Sequence, residues 1–173
     1  LAEAIKGSGS GTDSYEAGND AQAPGNYSTA VGVSAIAKAD SSTALGMKAT
    51  ASGQHSTAIG SSASATLPNA TAIGFGAQAT DNFSTAVGAD AKALYSSTTA
   101  VGSKAQVLGM FATALGANTT ADYMSVALGD SSTTTESYQV SIGTSSWQRT
   151  LIGLRSSVPT GSTKFTERLA TAA

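Results

Sequence analysis

The chain has 173 residues, enough for one ordinary domain, and its nine basic and eleven acidic residues leave a formal net charge of −2. Hydrophobic residues make up 40% of it but aromatics only 6%, so the large side chains that each contribute roughly 1.5–3 kcal/mol to a globular core on burial are scarce. That composition excludes a broad interlocking core. The lack of a basic stripe removes electrostatic support for nucleic-acid binding, and the absence of cysteine removes disulfides and thiol chemistry.

Taken in chain order, Leu1-Ala2-Glu3-Ala4-Ile5-Lys6 carries neither the basic start nor the apolar run of a secretory leader, and reads as part of a longer polypeptide. Gly7-Ser8-Gly9-Ser10-Gly11 reads as a flexible approach, and it lacks the lysine and helix of a phosphate loop. Residues 1–12 are therefore expected to be a connecting segment. From Ser14-Tyr15-Glu16-Ala17-Gly18 onward a small-residue phrase ending in glycine recurs. Its glycines are Gly32, Gly46, Gly60, Gly74, Gly88, Gly102 and Gly116 at a fourteen-residue period, then Gly129 after thirteen residues and Gly143 after fourteen more. Fixed self-similarity of this length predicts a stack of about ten identical turns over residues 13–143.

Each unit holds two phrases, as in Ser28-Thr29-Ala30-Val31-Gly32 followed by Ala35-Ile36-Ala37. Both have the length of short strands, the glycine between them permits a positive φ, and corners such as Lys38-Ala39-Asp40, Ala51-Ser52-Gly53 and Leu67-Pro68-Asn69 are rich in turn formers. Two strands and two bends per unit predict an all-β parallel solenoid whose narrow interior is filled by alanine. In the second strand, alanines alternate with Ile36, Thr50, Ser64, Gln78, Lys92 and Gln106, which is one buried and one wet face. The first strand is apolar or small on both faces, so a partner surface is expected to cover one of them. Turns stacked at roughly 4.8 Å predict a rod of about 45–50 Å.

The Ser-Thr-Ala-(Val/Ile/Leu)-Gly phrase followed by Ala-x-Ala at this period resembles the head domain of trimeric autotransporter adhesins, the YadA-like heads, over most of the chain. The resemblance implies a left-handed parallel β-roll and a homotrimer about a common axis. Residues 144–160 contain Trp147-Gln148-Arg149 and are similar to that family's neck, which widens the trimer into a stalk; Arg149 fits the neck arginine, while Gln148 stands where the family carries a glutamate. Residues 161–173 are expected to begin a helical stalk.

Five corner residues, Tyr27, His55, Phe83, Phe111 and Tyr138, form an interrupted column along the rod. They serve either as packing at the turn and between subunits or as a ligand-contact ridge, since aromatics are favoured at binding surfaces. His55 has no positioned partner of the kind a general base needs. The apolar residues Val31, Leu45, Ile59, Ile73, Val87, Val101, Leu115, Leu128 and Ile142 are expected to pack the repeat core or the trimer. The threonine column at 29, 43, 57, 71, 85, 99 and 113 suits strands; a flat exposed array could instead organise water, but here each threonine shares its face with an apolar residue expected to be buried. The sequons at Asn26, Asn69, Asn82 and Asn118 follow from turn chemistry.

No catalytic, metal or cofactor constellation is present in this pattern, so the expected function is non-enzymatic: an adhesive head displayed at the bacterial cell surface or outer membrane, with host matrix, host cells or another surface as partner. A bacteriophage tail-fibre shaft is the alternative, and an ice-binding solenoid a further one.

Overall fold

In a computed structural model, residues 9–144 are described. Trp147, Arg149 and the expected neck and stalk beyond residue 144 lie outside them. Each full turn contributes one three-residue strand and one two-residue strand, for example Thr29–Val31 and Ile36–Ala37, then Thr43–Leu45 and Thr50–Ala51. Among the described residues, the longer strands form a ten-stranded sheet from Tyr15–Ala17 to Val140–Ile142, and the shorter ones a seven-stranded sheet from Ile36–Ala37 to Thr120–Ala121. Every pairing is parallel, in chain order, and between residues one turn apart, as in Thr29↔Thr43, Ala30↔Ala44 and Val31↔Leu45. The ten rungs are thus separated by nine coils of a parallel β-solenoid.

The strands are shorter than the five-residue phrases. Serine opens the longer phrase by turning inward, where the Ser28 hydroxyl donates to the Gly25 carbonyl at 2.6 Å and that of Ser42 to Ala39 at 2.6 Å. Glycine closes the phrase with φ near +130°, as at Gly32 (φ 132) and Gly60 (φ 127), so the chain leaves the strand there. That glycine is required twice over. Its φ is one that side chains rarely adopt, and a Cβ built on Gly32 would stand 2.6 Å from the carbonyl carbon and oxygen of Gly46 in the next turn.

The interior receives four small residues per turn: Ser28, Ala30, Ala35 and Ala37 in one coil, Ser42, Ala44, Ala49 and Ala51 in the next, all buried. Among the described residues the largest fully buried side chain is Val107. A narrow bore admits nothing bigger. An alanine methyl contributes only about 0.8 kcal/mol on burial, so cohesion depends heavily on the axial backbone ladder, which continues through the corners. Gly32 N–H donates to Ala17 at 2.7 Å, Ser34 N–H to Asn19 at 2.8 Å and Ser41 N–H to Asn26 at 2.8 Å.

The first and last described rungs carry polar side chains at positions that hold alanine elsewhere. Glu16 pairs with Ala30, and its carboxylate accepts the Ala23 N–H at 2.5 Å. One turn later the equivalent N–H, that of Ala37, donates to the Gln22 carbonyl of the turn before. Glu16 thus gives the Ala23 N–H a side-chain acceptor where Ala37 uses backbone. At the other end Ser141 pairs with Ala127 and takes a hydrogen bond from Ser132 Oγ, at 2.9 Å. The single thirteen-residue turn drops its residue at the Asp122-Tyr123-Met124 corner, so strand register is kept as Thr113↔Val126 and Leu115↔Leu128.

Gly60→Ala, with its Cβ 2.4 Å from the Gly74 oxygen, should lower unfolding free energy by about 3 kcal/mol or more through combined strain and overlap. Denaturant unfolding followed by circular dichroism measures it, and a wild-type midpoint would refute the stacking argument.

Candidate functional site

The apolar column expected to pack the repeat core or the trimer does not lie inside the single chain. In the longer strands Ala30, Ala44 and Ala58 turn inward, so their neighbours Val31, Leu45 and Ile59 turn outward together with Thr29, Thr43 and Thr57. Leu45 is 43% and Leu115 46% exposed; Val31, Ile59, Val87, Val101, Leu128 and Ile142 are half-buried, and Ile73 is exposed at the margin. The physical reason is bore size: strand alternation allows one face inside, and only alanine fits there. The threonines do share a face with the Val, Ile and Leu column, but that face is open rather than buried within one chain. It is a regular ladder of Thr-x-(Val/Ile/Leu) rungs along one side of the rod.

The corner preceding that sheet carries the five candidate contact residues. Tyr27, His55, Phe83, Phe111 and Tyr138 all have φ between 55 and 64, the left-handed region. Ser41, Asn69, Ser97 and Met124 occupy the same corner in the intervening turns, with φ of 55, 59, 57 and 50. Rings thus fall on alternate turns. The conformation is imposed by the coil, because each corner amide is tied to the turn before: Tyr27 N–H to Thr12 at 2.8 Å, His55 N–H to Asp40 at 3.1 Å, Phe83 N–H to Pro68 at 3.2 Å and Phe111 N–H to Ser96 at 3.3 Å.

Asn, Asp and Ser tolerate this region, whereas a bulky residue there is an outlier that costs on the order of 1 kcal/mol. Burial does not offset it, since Tyr27, Phe83 and Tyr138 are 64%, 63% and 74% exposed. The opposite corner, two residues past each column glycine, provides an internal comparison. Asp20, Ser34, Lys48, Ser62, Asp90, Lys104, Asn118 and Ser131 sit there with φ of 53 to 59, and none carries a ring. The rings are therefore a property of one edge and not of left-handed corners in general.

Sequence reasoning missed how this edge changes along its length. Before Leu94 its flanking residues are mostly polar or small, as in Lys38-Ala39-Asp40 and Ser52-Gly53-Gln54, with Leu67 the exposed exception. After it, Tyr95, Leu108, Met110 and Met124 are exposed beside Phe111 and Tyr138. Tyr123 and Tyr138 meet edge to face with centroids 5.8 Å apart at 88°. The signal was present as the shift from Pro, Gly, Ser and Asp to Leu, Tyr and Met at matching corner positions. A smaller apolar group, Val33, Met47 and Phe75, stands exposed directly after the column glycines Gly32, Gly46 and Gly74.

His55 is exposed and faces no charged partner that would make it a base or ligand site. Among the described residues no group of three or more His, Cys, Asp or Glu is placed to hold a metal ion, and no helix is long and apolar enough to cross a membrane. What this surface offers chemically is one apolar and threonine-lined sheet face and one edge of rings.

Comparison with known proteins agrees with this architecture. The YadA head domain repeat (two copies) matches residues 10–35, 23–49, 37–63, 51–77, 68–91 and 96–119, more than half the chain. Among solved structures, the crystal structure of the collagen-binding domain of the Yersinia adhesin YadA aligns at 28% sequence identity with a TM-score of 0.45, covering 88% of this chain and 70% of that one. No curated protein matches at a significant level.

Replacing Phe83 with Asn, the residue found at the same corner in Asn69, should raise unfolding free energy by about 1 kcal/mol by relieving the left-handed strain. Thermal unfolding of the variant reads it; a destabilised variant would mean that the ring packs against something after all.

Proposed function

The chain belongs to the YadA head-repeat family, and from that membership we propose that it is a non-enzymatic adhesin head, displayed on a bacterial cell surface, that works as a homotrimer and attaches to host matrix, cells or other surfaces. The observation that carries the trimer is the outward column of Val31, Leu45, Ile59, Ile73, Val87, Val101, Leu115, Leu128 and Ile142. A continuous apolar stripe along one sheet face marks an association surface, and a protein whose own interior is limited to alanine has most to gain from covering it. Three such stripes meeting on an axis would build the large-residue core that each chain lacks.

Attachment then belongs to the surfaces left outside, of which the ring-bearing edge is the most distinctive. Contacts that are individually weak, repeated along the turns and across three chains, reinforce one another through effective concentration. Such a mechanism needs a rigid, periodic scaffold and no catalytic group.

One observation favours a second reading. The open Thr-x-(Val/Ile/Leu) ladder is regular enough to order water, so a monomeric form would present the kind of face an ice-binding solenoid requires. The two readings make opposite demands on the same face, because a trimer hides what an ice surface would contact.

Sedimentation equilibrium should give a trimer for the wild type, and Ile59→Lys should shift it to monomer. Placing unpaired charges in a buried interface costs several kcal/mol, so dissociation should rise on the order of 100-fold or more. A folded wild-type monomer with thermal hysteresis would replace the adhesin reading with the ice-binding one. Binding of the trimer to immobilised collagen, fibronectin, laminin and whole cells tests attachment itself.

A further inference from the structure

We propose that the ladder of rings at Tyr27, His55, Phe83, Phe111 and Tyr138 is a docking ridge for a neutral β-1,4-linked pyranose polysaccharide lying along the solenoid axis. The proposal deepens the adhesin reading and rests on it, since it names the chemistry that the outer edge of such a head would hold. Its first support is spacing. The rings occupy every second turn of a coil whose turns stack at about 4.8 Å, so successive rings stand about 9.6 Å apart along the axis. A β-1,4-linked chain turns each sugar over relative to the last, so the same apolar C–H face returns at every second sugar, over a closely similar length. One ring per turn would be too frequent for this match; the intervening corner positions hold Ser41, Asn69, Ser97 and Met124, and the rings nearest to them, Tyr95 and Tyr123, stand two residues before Ser97 and one before Met124.

The second support is conformational. Rings are held in the left-handed region on this edge while exposed, although the same corner accepts Ser and Asn and the opposite left-handed corner carries no ring. Tyr27, Phe83 and Phe111 are 64%, 63% and 53% exposed, so strain is kept there with little gain in packing, which points to use. The third is chemistry. Asn26, Gln54 and Asn82 immediately precede Tyr27, His55 and Phe83. Asn26 Oδ1 already accepts the Thr12 N–H and Asn82 Nδ2 donates to Asp81, which leaves the Asn26 side-chain N–H groups, the Asn82 side-chain carbonyl oxygen and the Gln54 amide to serve a hydroxyl-rich ligand at three of the five rings. Charge then narrows the class. Residues 9–144 contain four lysines against nine aspartates and glutamates, which disfavours sulfated or carboxylated glycans and leaves a neutral chain.

The test uses the purified chain with hydroxyethyl cellulose in affinity electrophoresis and with insoluble chitin and cellulose in pull-downs. Tyr27→Asn, Phe83→Asn and Phe111→Asn are compared singly and together; asparagine already holds this conformation at Asn69, so the variants should fold, and thermal unfolding confirms that they do. The wild type should be retained on at least one of the three polysaccharides, each substitution should weaken association about 5-fold, as expected for loss of one ring contact, and the triple variant about 100-fold. Raising salt should leave retention unchanged, because no ion pair is involved. Failure of the wild type to bind any of the three, or equal retention of a folded triple variant, would overturn the proposal, as would retention lost at high salt. A trimer that binds matrix proteins or cells but none of these polysaccharides overturns the ridge alone and leaves the adhesin reading standing.

Discussion

Backbone stacked on backbone at one turn's spacing is the constraint from which the rest of the molecule follows. At the corner after each longer strand, the chain passes so close to the next turn that any Cβ would overlap a carbonyl, as Gly32 does with Gly46 and Gly102 with Gly116. Glycine there sets the bend between the two strands of every coil. The bend sets the distance between the two sheets, and that distance admits serine and alanine but almost nothing larger. A fold usually secured by bulky side chains is secured here by repetition: identical rungs whose hydrogen bonds run in register down both strands and both corners.

Repetition also separates interior from exterior. The four inward positions of each turn are fixed by the bore, whereas the outward positions are free to carry whatever a partner demands. Threonine and branched apolar residues line one face, mixed polar residues the other, and rings one edge. In the first and last described rungs, Glu16 and Ser141, the latter bonded to Ser132, break the alanine rule with polar groups.

The period, the parallel coil and the alanine interior were all legible in the sequence, because each is written as a residue type returning at fixed spacing. Which face of the longer strand turned inward was harder to read. Ala30 and Val31 are both apolar, and hydrophobicity alone favours burying the larger; only the width of the bore, a property of the closed coil, reverses that choice. Glu16 was visible as a departure from the phrase, but its bond to the Ala23 N–H, seven residues on, is one that a linear pattern does not display. The ring positions were legible as a column. Their left-handed backbone was not, since Tyr27 and Ser41 adopt it equally and neither announces it as a glycine would.

That equality bears on how the edge should be understood. Left-handed φ at this corner is dictated by amides tied to the preceding turn, so the conformation belongs to the coil and is imposed whichever residue occupies the site. A sequence under selection for stability alone would fill such a corner with Asn, Asp or Ser throughout, as the opposite corner does apart from two lysines and a glycine. Placing phenylalanine or tyrosine there raises the cost and, with the ring projecting into solvent, recovers little within one chain. The coil over-determines the backbone enough to tolerate it. A rigid rod of this kind can therefore hold side chains in conformations that a softer scaffold would relax, and that capacity, more than any single residue, is what suits it to presenting a surface.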